Sequence, residues 1–278
     1  MGRLSVPEKT REFGGYEITL LLDGVFETTT DNLVHVDGAD ALRRTIEGWG
    51  SDLVRFDVNH YLLRGPNGIS LVDAGTGPGW GPTLGFAREA LAAAGVTPDA
   101  VDRVLLTHLH FDHARGLMDG AGAYFPRAEI IVPGDDLAFF TDMTARDALP
   151  EARRGAFALT EAIGRAYHGR IRTIGPGAVM QGVEAVPLPG HTPGQMGYLL
   201  RDGAAALLFW GDAVHIRVGQ ARDPKIGLSA DLNPKQAAVT RRAILERAVT
   251  ENLLVAGSHM TGFVRVMRDG DGFTMVNG

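Results

Sequence analysis

Thr107-His108-Leu109-His110-Phe111-Asp112-His113 follows directly on the apolar run Val104-Leu105-Leu106. Three imidazoles and a carboxylate in such a short span do not fit a hydrophobic core. Each buried imidazole needs partners, and a buried carboxylate is costly unless it is paired or bound to a metal. A loop at the end of a buried strand resolves the conflict, because the polar groups then converge at the rim of the core. Alternate residues leaving a strand point the same way, so His108 and His110 can face one point. Asp112 and His113 come after the chain turns and can face a second point nearby. The spacing predicts two adjacent metal positions.

Three later places share this context. His191 lies in Pro189-Gly190-His191-Thr192-Pro193-Gly194, after an apolar run ending at Leu188. Asp212 lies in Trp210-Gly211-Asp212, after Leu207-Leu208-Phe209, and His259 follows Leu253-Leu254-Val255-Ala256-Gly257-Ser258. Each is a polar residue one short step past a buried strand. Ligand sites in α/β sheets collect at such strand ends.

The rest of the chain supplies the scaffold for these exits. Tyr16 to Leu22 reads as a strand ending in a turn at Asp23-Gly24, and Val58 to Leu63 with Ile69 to Val72 as a hairpin around Pro66-Asn67-Gly68. Thr83 to Ala94 has helical spacing with Gly95 as its stop, and Thr97-Pro98 starts a short helix. Glu129 to Val132, Val183 to Leu188, Met196 to Leu200 and Ala204 to Trp210 read as strands. Pro234 to Val249 is a helix capped by Asn233, and Phe263 to Val276 a closing hairpin around Gly270-Asp271-Gly272. Asp135 to His168 is helical in pattern and interrupts the strand plan. The expected organisation is one domain over residues 1–278, with a cap-like helical insertion at about 135–170.

Composition narrows the chemistry. The chain has no cysteine, so a metal must be held by imidazole and carboxylate. Net charge is −6, which argues against nucleic acid as the main partner. No apolar run approaches the length of a membrane span, and Glu8, Lys9, Arg11 and Glu12 interrupt the N-terminal stretch where a secretory signal would lie. The expected address is the cytoplasm, without membrane or nucleic-acid partners, with a small-molecule substrate. Any self-association is expected to be a homodimer, the commonest oligomer.

At this point the chain resembles the metallo-β-lactamase-fold superfamily. The family's His-x-His-x-Asp-His motif stands here as His108 to His113, and its downstream His, Asp and His as His191, Asp212 and His259. Leu71-Val72-Asp73-Ala74-Gly75 is close to its early Val-Asp-Thr-Gly strand end. The resemblance implies an α/β fold, a four-layer αββα sandwich with both metals at one edge. It implies that His108, His110 and His191 hold the first metal, that Asp112, His113 and His259 hold the second, and that Asp212 bridges them. The expected cofactor is two divalent ions, zinc first, with Mn, Fe, Co or Ni as alternatives. Asp73 matches a position that orients a metal-bound histidine; capping the turn beside Gly75 is the other reading.

Asp212 stands where β-lactamases of this fold place cysteine or another residue. It resembles instead the two-metal hydrolases, nearest the methyl parathion hydrolase and acyl-homoserine lactonase group. That likeness implies hydrolysis of lactone, ester or organophosphate substrates. Two cations about 3.5–4 Å apart ionise a shared water at neutral pH, and Asp112 would pass its proton to the leaving group. Lactonases commonly carry tyrosine three residues after the bridging Asp. Here it is His215, which either donates to an oxyanion or protonates a leaving group, or else packs behind the ligands. Phe111 and Phe263 adjoin the ligand loops and are expected to wall the pocket with Trp80 and Phe140; His60 is expected to be an ordinary strand histidine. Few Lys or Arg residues lie near the motifs, so a neutral or weakly anionic, fairly apolar substrate is expected rather than a polyphosphate. The alternatives are an iron-dependent redox enzyme like persulfide dioxygenases, a thioester hydrolase of the glyoxalase II type, and a ligand-binding protein without turnover.

Overall fold

The computed structural model describes residues 9–278. Residues 1–8, on which part of the N-terminal reading rests, lie outside the described residues. Seven strands form a first sheet and are hydrogen-bonded in chain order. They are β1 (Thr10–Phe13), β2 (Tyr16–Thr29), β3 (Leu53–Gly65), β4 (Gly68–Val72), β5 (Arg103–Leu105), β6 (Glu129–Pro133) and β7 (Ile171–Ile174). Seven more form a second sheet, again in chain order. They are β8 (Gly177–Met180), β9 (Val183–Pro187), β10 (Met196–Asp202), β11 (Ala205–Phe209), β12 (Leu254–Ala256), β13 (Phe263–Asp269) and β14 (Gly272–Asn277). The helices are α1 (Ala39–Ile46), α2 (Ala87–Ala93), α3 (Phe111–Ala114), α4 (Gly134–Thr141), α5 (Met143–Ala148), α6 (Gly155–Ala166), α7 (Arg217–Arg222) and α8 (Pro234–Thr250).

Alternation along the strands decides the layering, because successive side chains face opposite sides. Tyr61 and Leu63 of β3, Val72 of β4 and Leu105 of β5 meet Tyr198, Leu207 and Phe209 of the other sheet. Their neighbours Leu62, Leu71 and Val104 face outward, under Leu91 of α2, Phe140 of α4 and Ile163 of α6. On the far side Leu199, Leu208 and Val255 pack against Ile244 and Leu245 of α8. The layers therefore run helix, sheet, sheet, helix, as expected. Each buried Leu, Ile, Val or Phe side chain contributes about 1.5–3 kcal/mol to holding them together.

Strand direction then brings the exits to one place. β4, β5 and β6 are parallel neighbours, as are β11 and β12. β9 runs antiparallel to β10 and β10 antiparallel to β11, so β9 points the same way as β11. The loops after β4, β5, β9, β11 and β12 thus leave along the edge where the two sheets meet.

Three local expectations are corrected. Asp23-Gly24 is not a turn but a bulge inside β2, which continues to Thr29. Gly24 (φ 150°) passes so close to the backbone of Thr83 that a Cβ would lie 2.0 Å from the Thr83 carbonyl oxygen. The freed Asp23 carboxylate accepts from Thr76 N (2.8 Å) and Ala87 N (2.6 Å). Second, and as a consequence, the helix expected from Thr83 starts only at Ala87. Third, the helical stretch 135–168 is broken into α4, α5 and α6, because Asp142 caps a new helix through Thr144 N and Pro150 stops it. α8 begins where expected, with Asn233 Oδ1 accepting from Gln236 N. No helix among the described residues is long and apolar enough to cross a membrane.

Candidate metal centre

His108 and His110 leave β5, Asp112 and His113 lie on the one-turn helix α3, and His191, Asp212 and His259 follow β9, β11 and β12. All seven expected ligand residues meet in one cluster. Ligand atoms of His108, His110 and His191 lie within 4.8 Å of one another, as do those of Asp112, His113, Asp212 and His259. The two halves of the chain can approach this closely because residue 211 is glycine (φ 53°), where a Cβ would lie 3.0 Å from the Thr107 side chain.

Asp212 stands between the groups with one oxygen toward each. Its Oδ2 is 3.2 Å from His191 Nε2 and 3.7 Å from His108 Nε2. Its Oδ1 is 3.1 Å from both His113 Nε2 and His259 Nε2. Asp112 Oδ2 lies 3.5 Å from His113 Nε2 and from His259 Nε2. His110 Nδ1 is 2.8 Å from His191 Nε2.

The outer nitrogens of these rings are already committed. His259 Nδ1 donates to the Asp57 carbonyl (2.8 Å), His113 Nδ1 to Asp73 Oδ2 (2.8 Å) and His191 Nδ1 to Asp231 Oδ1 (2.7 Å). His108 Nδ1 is 3.1 Å from Thr107 Oγ1. A proton on each Nδ1 leaves a lone pair on Nε2, aimed inward. His108 Nε2, His113 Nε2, His259 Nε2 and Asp212 Oδ1 are buried and make no hydrogen bond among the described residues. Buried polar atoms are ordinarily satisfied, so converging lone pairs of this kind fit a cation. Burial opposes charge on His191, but Asp212 and Asp231 outweigh it and lift the ring to about 9. Burial and the neighbouring His191 pull His110 down to about 3.

Three supporting residues carried no signal in the sequence. Asp231 precedes α8 and is fully buried behind His191. Asp136, on α4, accepts from Leu109 N (3.0 Å) and Gly194 N (2.7 Å), tying the His108 loop to the His191 loop. A Cβ at residue 194 would lie 2.2 Å from Asp136 N, so glycine is required there. Arg241 of α8 is also fully buried in this region. Asp73, whose two readings were open, does touch a site histidine, and its Oδ1 also accepts from Thr107 N (2.8 Å).

A cavity of about 280 Å³ opens beside the cluster. Trp80, Phe111 and Phe140 line it as expected, joined by Phe26 and Phe56 from the long β2–β3 hairpin. Phe263 does not line it. As the first residue of β13 it turns inward and packs between the sheets with Tyr61. His215 lines the cavity with its Nε2 2.9 Å from Asp212 Oδ2 and its Nδ1 buried without a hydrogen-bond partner among the described residues. Burial pulls His215 down to about 4, which keeps the ring neutral. His60 is buried within β3 away from the cavity.

A two-sheet sandwich with histidines and aspartates gathered on its strand ends defines a class of metal-dependent hydrolases. The model of the metallo-beta-lactamase superfamily matches residues 53–259, and the chain belongs to that superfamily. Its fold implies divalent metal ions. The chain is 29% identical over 168 residues to protein YobT of Bacillus subtilis (strain 168), covering 60% of this chain and 66% of that one. It is 29% identical over 175 residues to the acyl-coenzyme A thioesterase MBLAC2 of Gallus gallus, covering 56% and 57%. The matched region spans less than two thirds of either relative. Among solved structures, the hydrolase AbOPH of the beta lactamase superfamily superposes with a TM-score of 0.86 at 25% identity, over 99% of both chains. AidC, a dizinc quorum-quenching lactonase, superposes with a TM-score of 0.86 over 97% of both chains; at 20% identity the likeness is one of fold.

Proposed function

We propose that this protein is a dinuclear metal-dependent hydrolase of small, largely apolar lactones, esters or organophosphates. The observation that carries the reading is the set of inward lone pairs around Asp212. His108, His110 and His191 would hold one cation, Asp112, His113 and His259 the other, and Asp212 both. Such a pair supplies Lewis acidity and lowers the pKa of a shared water toward neutrality.

The protein's own groups would do the rest. Asp112 faces the cavity; burial pushes its carboxyl up, but His113 and His259 hold it well below the usual range. It is therefore anionic, able to take a proton from the attacking water and return it to the leaving group. His215, neutral and at the cavity wall, has a single N–H, which Asp212 Oδ2 engages at Nε2; it would donate to charge developing on the substrate only by exchanging that contact for the substrate oxygen. The aromatic walls exclude water and favour an acyl or aryl substituent. The segment from α4 to α6 contributes Phe140, Arg153 of the turn before α6, and Gly155 to these walls, and would act as the cap.

The thioesterase likeness favours a second reading, hydrolysis of acyl thioesters. The cavity speaks against a large polyanionic carrier, since Arg153 is the one Lys or Arg on its walls among the described residues. An iron-dependent redox role using one trio of histidines would leave Asp112, His113 and His259 converging for no purpose. Elemental analysis followed by turnover on lactones, aryl esters, phosphotriesters and thioesters tests the proposal. Two divalent ions with hydrolysis of a non-thioester support it. One iron per chain with oxygen uptake, or full metal loading with no turnover on any of the four classes, overturns it.

A further inference from the structure

Arg241 carries a full charge into the interior, where neither its side chain nor that of Asp231 is more than 1% exposed. Burying a guanidinium is costly unless its N–H groups are all used and a counter-charge is near, and an apolar side chain often serves stability as well. What the planar fork adds is geometry, since it fixes several acceptors relative to one another. Here Nε donates to the Ala213 carbonyl (2.7 Å), and Nη1 to the carbonyls of Pro224 (2.9 Å) and Ile226 (2.6 Å). Nη2 lies 3.5 Å from Asp231 Oδ2.

Two of these four acceptors lead straight to the candidate metal centre. Ala213 directly follows Asp212. Asp231 receives the His191 Nδ1–H at 2.7 Å. The backbone repeats the second link, because Leu232 N donates to the His191 carbonyl and Asn233 N to the Gly190 carbonyl, both at 2.9 Å. One side chain on α8 thus grips the loop of the shared carboxylate and the carboxylate behind a histidine of one trio.

We propose that Arg241 is a positioning residue of the metal centre, which aims His191 through Asp231 and steadies Asp212 through the Ala213 carbonyl. This rests on the two-metal reading above. It assigns a stronger effect to the position formed by His108, His110 and His191 than to that formed by Asp112, His113 and His259, because His191 is the one ligand residue that the Asp231 carboxylate is hydrogen-bonded to among the described residues.

The test is a Co(II) titration of metal-freed protein, with two successive dissociation constants read from visible absorption. Arg241→Met and Asp231→Asn are each expected to weaken one of the two steps about 10–100-fold, the usual range for an outer partner of a metal ligand. In Asp231→Asn the other step should stay within about threefold; in Arg241→Met, which also loosens the loop of the shared Asp212, it should weaken by a smaller factor than the first; and the double variant should be no more than about threefold weaker than the poorer single variant, because the two residues act in series. Arg241→Lys should behave like Arg241→Met, since a point charge cannot hold Asp231 and Ala213 at once; it carries the test if Arg241→Met does not fold. Urea unfolding of the metal-free forms separates this from a structural role, which would lower stability and leave both constants unchanged. Unchanged constants, or equal weakening of both steps, overturn the inference. A wild-type protein that takes up fewer than two Co(II) ions overturns the two-metal reading itself, through that arm alone.

Discussion

A histidine binds a cation with the nitrogen it has not committed elsewhere. In His259 the commitment is unambiguous, because the Asp57 carbonyl at Nδ1 can only accept. Nε2 is left as a bare lone pair facing Asp212. Replacing Asp212 by Asn would aim an N–H group at such lone pairs or remove the charge between the two groups. We expect Asp212→Asn to lower the metal content below two per chain and kcat by at least about 100-fold, measured by elemental analysis and steady-state kinetics on one preparation. Asp136 makes a prediction of the opposite electrostatic kind. Burial raises its carboxyl to about 6, above the ordinary value of 3.8. A group whose folded pKa is raised contributes most below its unfolded pKa and loses that contribution as pH rises through the folded one. Between pH 4 and pH 7.5 the metal-free wild type should therefore lose about 2 kcal/mol relative to Asp136→Asn. Urea melts of both proteins at the two pH values check the sign. A pH-independent loss of about 1–3 kcal/mol in the variant reflects the bond that Asn cannot make.

At the scale of elements, α6 and α3 meet at the cavity wall. A Cβ on Gly155, the first residue of α6, would lie 2.7 Å from the ring of Phe111. Gly155→Val should push that ring into the cavity. KM for a bulky ester should rise several-fold or more while metal content stays at the wild-type value; a kinetic titration beside elemental analysis decides it. The strand exits were legible in the sequence because their signal is local, an apolar run followed within a few residues by His or Asp. Asp231 and Asp136 were not, because the groups they serve lie 40 and 27 or more residues away. Arg241 looked like any charged position on a helix. Phe26 and Phe56 fell outside the expected strands Tyr16 to Leu22 and Val58 to Leu63, because β2 continues through the bulge at Asp23 and β3 begins already at Leu53. Phe263 misled for the converse reason: nearness to His259 along the chain does not fix the face of a strand on which a side chain falls. The break-up of residues 135–168 followed from a single cap at Asp142, whose effect periodicity alone does not register.

For the whole molecule, the candidate centre joins two sheets that otherwise meet through apolar contacts and a few hydrogen bonds, such as Tyr198 Oη to the Leu106 carbonyl (2.7 Å). A cation bound only by the folded state adds about 4 kcal/mol at a concentration 1,000 times its dissociation constant. Chelation should therefore lower the thermal midpoint by several degrees, and restoring the metal should reverse the shift; a scan unchanged by chelator would show that the sheets do not depend on it. The division of labour is complete. Every strand of the first sheet lies before residue 175 and every strand of the second after residue 176. His108 to His113 come from the first part, and His191, Asp212 and His259 from the second. Severed at the exposed Gly175-Pro176 link, the chain would become a pair of fragments, each holding an incomplete claw. Their reunion would then answer to the ion itself, and a tether between the sheets would have become a reporter of metal supply.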